Sequence, residues 1–100
     1  MKCVFCGNEI DYNQDKFIEL NGEYTHLDCW VTNMFKKGGF NKEIFGALAT
    51  AIDYLISAKQ LILEVISKCE AYKEDLCSSI DRIESEASII TRFILDKVLK

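Results

Sequence analysis

The stretch 23-EYTHLDCW-30 places the chain's single histidine, His26, three positions before Cys29. At the front of the chain, 1-MKCVFCGNEI-10 carries a second pair, Cys3 and Cys6, with the same spacing. Three thiols and one imidazole make a full tetrahedral set for zinc, with no position left for a substrate. Cys-x2-Cys followed by Gly7 forms a tight knuckle in which both sulfurs face one point, and glycine permits the backbone conformation that follows. Between the pairs, FIEL (17 to 20), Asn21-Gly22 and EYTH (23 to 26) predict a β-hairpin, because Asn-Gly tolerates the positive φ values of a two-residue type I′ turn. His26 then closes the hairpin. Cys29 falls in the first turn of a helix from Leu27 to Lys37, which ends in two lysines and a glycine.

One isolated histidine is usually a core residue, and lone cysteines are usually buried thiols. Two matched pairs around a hairpin outweigh that reading and predict one structural zinc per chain on Cys3, Cys6, His26 and Cys29. Soft thiolates favour zinc over calcium or magnesium, and a closed set argues against a catalytic Lewis acid. Tyr24 is expected to cover the metal. Trp30, Phe35 and Phe40 are expected to supply the packing that so small a finger lacks.

The chain changes character at Gly38-Gly39. Residues 40 to 100 contain one glycine, Gly46, and no proline. We therefore divide it into a zinc-finger head, residues 1-39, and a helical stalk, residues 40-100. Asn41 is the expected N-cap of a helix starting at Lys42, with Phe40 and Phe45 as a hydrophobic staple. Ile44, Leu48, Ala51, Leu55, Ala58, Ile62, Val65, Cys69 and Tyr72 then follow alternating steps of four and three, a heptad stripe. After Lys73-Glu74-Asp75 a second stripe runs through Leu76, Ile80, Ile83, Ala87, Ile90, Ile94 and Val98. Helices of about 42-73 and 77-99 fit this pattern, joined near Tyr72 to Ser79. The joint is read either as a helical hairpin, with Ser78 and Asp81 as a weak capping box, or as a bent continuous helix. The fold class expected is α+β: knuckle, hairpin and helix, followed by a two-helix hairpin or coiled-coil-like stalk.

Composition narrows the function classes. Hydrophobic residues make up 49% of the 100 and the net charge is −4, so the chain should fold as a soluble protein without a membrane span. The front does not resemble a signal peptide, because Cys3 and Cys6 interrupt the apolar segment it would need; a cytoplasmic location is expected. Residues 1 to 40 hold four lysines against six acids, and residues 41 to 100 hold eight basic residues against ten acids. Neither half is the clustered basic surface that phosphate binding needs. The one histidine is committed to metal, so no Ser-His-Asp or Cys-His nucleophile set can be built. Cys69 and Cys77 read as small buried hydrophobes, with a redox or intersubunit thiol pair as the alternative.

CVFC, NGEYTHLDCW and the helix after Cys29 resemble a treble-clef finger, and more narrowly the first zinc site of a LIM module. The resemblance covers residues 3 to about 37 and extends to small archaeal zinc-finger proteins of unknown function. It implies a structural zinc and a protein-binding habit. Thr32 stands where a LIM module would begin its second zinc site, so half of that module is absent.

The first long helix also carries Ile52, Ile56, Leu63 and Ile66 beside its main stripe, a face too wide for one partner helix. These four are the expected interface of a homodimer or larger helical bundle, unless the finger packs over them. The expected function is a non-enzymatic zinc-binding interaction module, an adaptor or regulator that self-associates and binds another protein. The alternative is a dimeric nucleic-acid-binding regulator using Lys36 and Lys37 against phosphates.

Overall fold

A computed structural model describes residues 1–99; Lys100, the last residue of the expected stalk, lies outside the described residues. The front of the chain is a small hairpin of its own. The Cys3 amide donates to Asn8 O (2.9 Å), and the Gly7 amide donates to Cys3 O (2.8 Å). Gly7 sits at φ 74°, the left-handed region the knuckle requires. Strands β1 (Phe17–Leu20) and β2 (Glu23–His26) pair antiparallel with Phe17 opposite His26 and Leu20 opposite Glu23. Asn21 (φ 52°) and Gly22 (φ 87°) form the expected turn. The Val4 amide donates to Tyr24 O at 3.0 Å, which fastens the knuckle to β2.

Helix α1 (Leu27–Lys37) follows β2 directly and stops at Gly38, whose amide donates to Met34 O. Helix α2 (Lys42–Lys68) begins where Asn41 Oδ1 accepts the Ile44 amide at 3.1 Å. The rings of Phe40 and Phe45 lie 5.0 Å apart, so the predicted staple is formed. The chain then reverses, and α3 (Lys73–Phe93) packs back along α2, ending in a π-helical turn, Ile94–Val98.

The reversal falls earlier than the stripe suggested. Cys69 is extended (φ −146°, ψ 94°), and a 3-10 turn at Glu70–Tyr72 leads into α3. Ser78 is therefore inside α3 and caps nothing. The reason is electrostatic: Glu74 and Asp75 occupy the first turn of α3, where the helix dipole favours negative charge. The hydrophobic stripe carries no such signal.

One core joins front and back. Ile18, Leu27 and Trp30 from the first 39 residues are buried together with Phe45, Ala49, Ile52, Ile56, Ala87 and Ile94. Trp30 meets Phe45 edge-on at 5.3 Å. A smaller cluster of Cys3, Ile10 and Phe17, flanked by Tyr24 and Cys29, underlies the knuckle. This arrangement corrects the expected interface. Ile52 (0% exposed) and Ile56 (3%) are covered within the chain by the finger and α3, so they are not free for a partner. Leu63 and Ile66 are half-buried and line an open groove with Gln14 and Lys16 of the finger and with Gln60. Residues of the main stripe, which α3 was expected to cover, are exposed instead, among them Ile44, Val65 and Tyr72.

By length and composition α2 is apolar enough to cross a membrane.

Candidate metal centre

Cys3, Cys6, His26 and Cys29 converge, one ligand atom from each lying within 4.8 Å of the others. Around a tetrahedral zinc with bonds of about 2.3 Å, neighbouring sulfurs stand roughly 3.8 Å apart, so the four side chains already approximate the polyhedron they would form. His26 Nδ1 lies 3.3 Å from Cys6 Sγ and 3.9 Å from Cys29 Sγ. The knuckle supplies Cys3 and Cys6, the end of β2 supplies His26, and the first turn of α1 supplies Cys29. Cys3 is buried, His26 and Cys29 are half-buried and Cys6 is exposed, so the centre is closed on the core side and open on one edge.

The local field prepares the site for a cation. Burial pushes the Cys3 thiol up, but hydrogen bonding to the Cys6 backbone, the Thr25 hydroxyl and the His26 and Phe5 backbone overrides it and brings the pKa down to about 5. The His26 amide donates to Cys3 Sγ at 3.4 Å. Burial, followed by the neighbouring Cys3 and Cys6 sulfurs, pushes Cys29 the other way, to about 11. A Cys3 thiolate beside a Cys29 thiol that resists ionising is what crowded sulfurs do without a central positive charge. A soft divalent metal offsets that repulsion, and the donor set fits zinc.

One member of the site has no signal in the spacing. Asp15 Oδ2 lies 3.5 Å from His26 Nε2 and also accepts the Asp11 amide at 2.8 Å. Asp11 in turn accepts from the Asn13 and Gln14 amides, so the loop before β1 is wound about its own carboxylates and aims Asp15 at the histidine. With Nε2 facing a carboxylate, Nδ1 is the nitrogen left to face the metal. Asp15 is eleven residues from His26 in sequence, and only the hairpin's return brings them together.

A second group the sequence reading passed over is Lys59, which is 3% exposed on α2. Its Nζ lies 4.6 Å from the Phe17 ring centre, 5.0 Å from that of Tyr12 and 3.6 Å from Glu84 Oε2. Burial holds its pKa below the ordinary lysine range, partly opposed by Glu84. Lys59, Tyr12, Phe17 and Glu84 line a cleft of about 220 Å³ between finger and helices. The Tyr12 hydroxyl donates to Glu84 at 3.2 Å, and Lys16 Nζ donates to Asp53 Oδ1 at 2.6 Å. These polar contacts pin the loop before β1 to α2 and α3.

Fold and site together define a small α+β protein with a four-ligand Cys/His cluster able to hold a metal ion such as zinc. The chain belongs to the family described as "Uncharacterized protein conserved in archaea (DUF2175)", whose profile matches residues 1–96. No curated protein and no solved structure matches it.

Proposed function

We propose that the protein is a non-enzymatic, zinc-stabilised interaction module, an adaptor or regulator that self-associates through its helices and works in the cytoplasm. The observation that carries this reading is the closed ligand set: four protein donors converge on one point, so a bound zinc keeps no open position for a reacting molecule. The metal then acts on the fold. It ties knuckle, hairpin and α1 into a rigid unit that presents the rest of the surface. The resemblance to one half of a LIM module supports a protein partner. Net charge −4, with Lys36 and Lys37 the paired cations at the end of α1, weighs against nucleic acid.

Elemental analysis of freshly prepared protein tests the metal, with one zinc per chain expected and loss of zinc expected in the Cys6→Ser, His26→Ala double variant. Full zinc retention by that variant overturns the ligand assignment. Heparin retention together with a salt-dependent DNA shift would replace the protein-interaction reading with the nucleic-acid one.

A further inference from the structure

The outer face of α2 carries an apolar ridge that the described residues leave largely uncovered. Ile44, Ala47, Ala51, Tyr54, Ala58, Leu61 and Val65 recur at steps of three and four, the seam spacing of a two-helix coiled coil. Tyr54 is 72% and Leu61 64% exposed; Ile44 and Val65 are about half exposed. The ridge lies roughly 180° around the helix from Phe45, Ala49, Ile52 and Ile56, which face the finger, at 3.6 residues per turn.

We infer that this ridge is the contact surface of an antiparallel homodimer, in which α2 of a second copy of the chain lies along it. The inference rests on the self-association proposed above and names its surface and register. The order of side-chain sizes selects the occupant. In an antiparallel pairing centred level with Ile56, Ala47 faces Val65 of the second copy, Ala51 faces Leu61, and Tyr54 faces Ala58. Every alanine then meets a large side chain, as close packing requires. A parallel pairing stacks Ala47, Ala51 and Ala58 each on itself, leaving voids, and sets Tyr54 against Tyr54. Shifting one heptad to face Ala47 with Ala58 sets two small residues together and leaves a void. One end agrees in charge as well: Lys68 approaches Glu43 of the second copy.

A bilayer is the other occupant an apolar ridge admits. The charges within α2 favour the copy. Asp53 is paired with Lys16, and Lys59 is enclosed by Phe17, Tyr12 and Glu84, so the opposite side of the helix is committed to the finger and to α3. A ridge one helix wide, with small residues that allow close approach, fits another helix.

Light scattering of the zinc-loaded full chain should give the dimer mass at tens of micromolar. Leu61→Glu and, separately, Tyr54→Glu should each weaken the dimer by roughly 30-fold or more, as loss of a central interface anchor does. Both positions are exposed, so zinc content and helical circular dichroism should stay unchanged. Register is read in a Cys69→Ser, Cys77→Ser background: Ala51→Cys mixed with Leu61→Cys should form an interchain disulfide, and Ala51→Cys alone should not. A monomeric wild-type protein overturns both this surface and the self-association reading. A dimer indifferent to Leu61→Glu overturns the surface and leaves self-association standing. Efficient cross-linking of Ala51→Cys with itself overturns the antiparallel register. Co-sedimentation of the wild type, but not of Leu61→Glu, with phosphatidylcholine–phosphatidylglycerol vesicles, without a dimer in solution, replaces the second copy with a membrane.

Discussion

Around His26 the chemistry is set by which atom each neighbour offers. Two sulfurs, Cys6 and Cys29, stand on the Nδ1 side and one carboxylate, Asp15, on the Nε2 side, so the ring already turns Nδ1 toward the thiols. Asp15→Asn keeps the shape and removes the charge. Zinc affinity, measured by competition with a chromophoric chelator, should fall about 10-fold, with the folded structure retained. The thiols predict how binding depends on pH. Cys3, with a pKa near 5 against an ordinary 9.0, is already a thiolate at neutral pH, whereas Cys29, near 11, must lose its proton to bind. Zinc binding should therefore release at least one proton, and apparent affinity should rise between about pH 6 and 8. Below about pH 5 even Cys3 is protonated, and the metal should leave. Potentiometric proton counting during zinc titration checks the sign; no proton release at pH 7 would contradict it.

The elements are held to one another by contacts that pattern reading does not see. Lys59 projects from α2 into the cleft between the finger and α3, where two aromatic faces and Glu84 receive it. Desolvating an ammonium is costly, and the rings and one part-exposed carboxylate offset only some of that cost. Lys59→Met should accordingly be neutral or stabilising by about 1 kcal/mol, since the thioether fills similar volume without a charge to desolvate. Glu84→Gln should destabilise, because it removes the carboxylate and leaves the buried cation with the rings alone. Urea denaturation of the two variants separates the effects. Equal destabilisation by both would mean that the pair stabilises the fold as an ion pair. The joint between α2 and α3 is also an element-scale matter: Cys69 leaves the helix through its own backbone, and the acidic first turn of α3 sets where the next helix starts.

For the molecule as a whole, the consequence lies in the shared core. The sequence suggests that zinc removal unfolds residues 1 to 37 first and leaves the helices standing. Trp30, however, is 1% exposed against Phe45, and Ile18 and Leu27 complete the cover over Ile52 and Ile56. Losing the finger would uncover the apolar side of α2 that holds α3 in place. Chelation should therefore abolish the near-ultraviolet signal of Trp30 and the far-ultraviolet helix signal together, at one chelator concentration. Survival of the helix signal after the tryptophan signal has gone would show that residues 40 onward fold without the finger.

Sequence by itself determined what depends on local spacing. The two Cys/His pairs, the Asn21-Gly22 turn, the Asn41 cap and the Phe40–Phe45 staple act over a few residues, where backbone geometry leaves few alternatives. For the same reason the start of α2 at Lys42 was legible to the residue. The tertiary structure decided which side of α2 faces inward. The apolar face of that helix is wider than one seam, so periodicity marked a main stripe through Ile44 and Val65 without showing which part of the face the rest of the chain covers. The finger and α3 settled the choice by filling the side lined by Phe45, Ala49, Ile52 and Ile56, which turned Tyr54, Leu61 and Val65 outward. Asp15 and Lys59 were hidden for a related reason: a carboxylate becomes a metal-site residue, and a lysine a buried one, only when segments distant in sequence fold back on them.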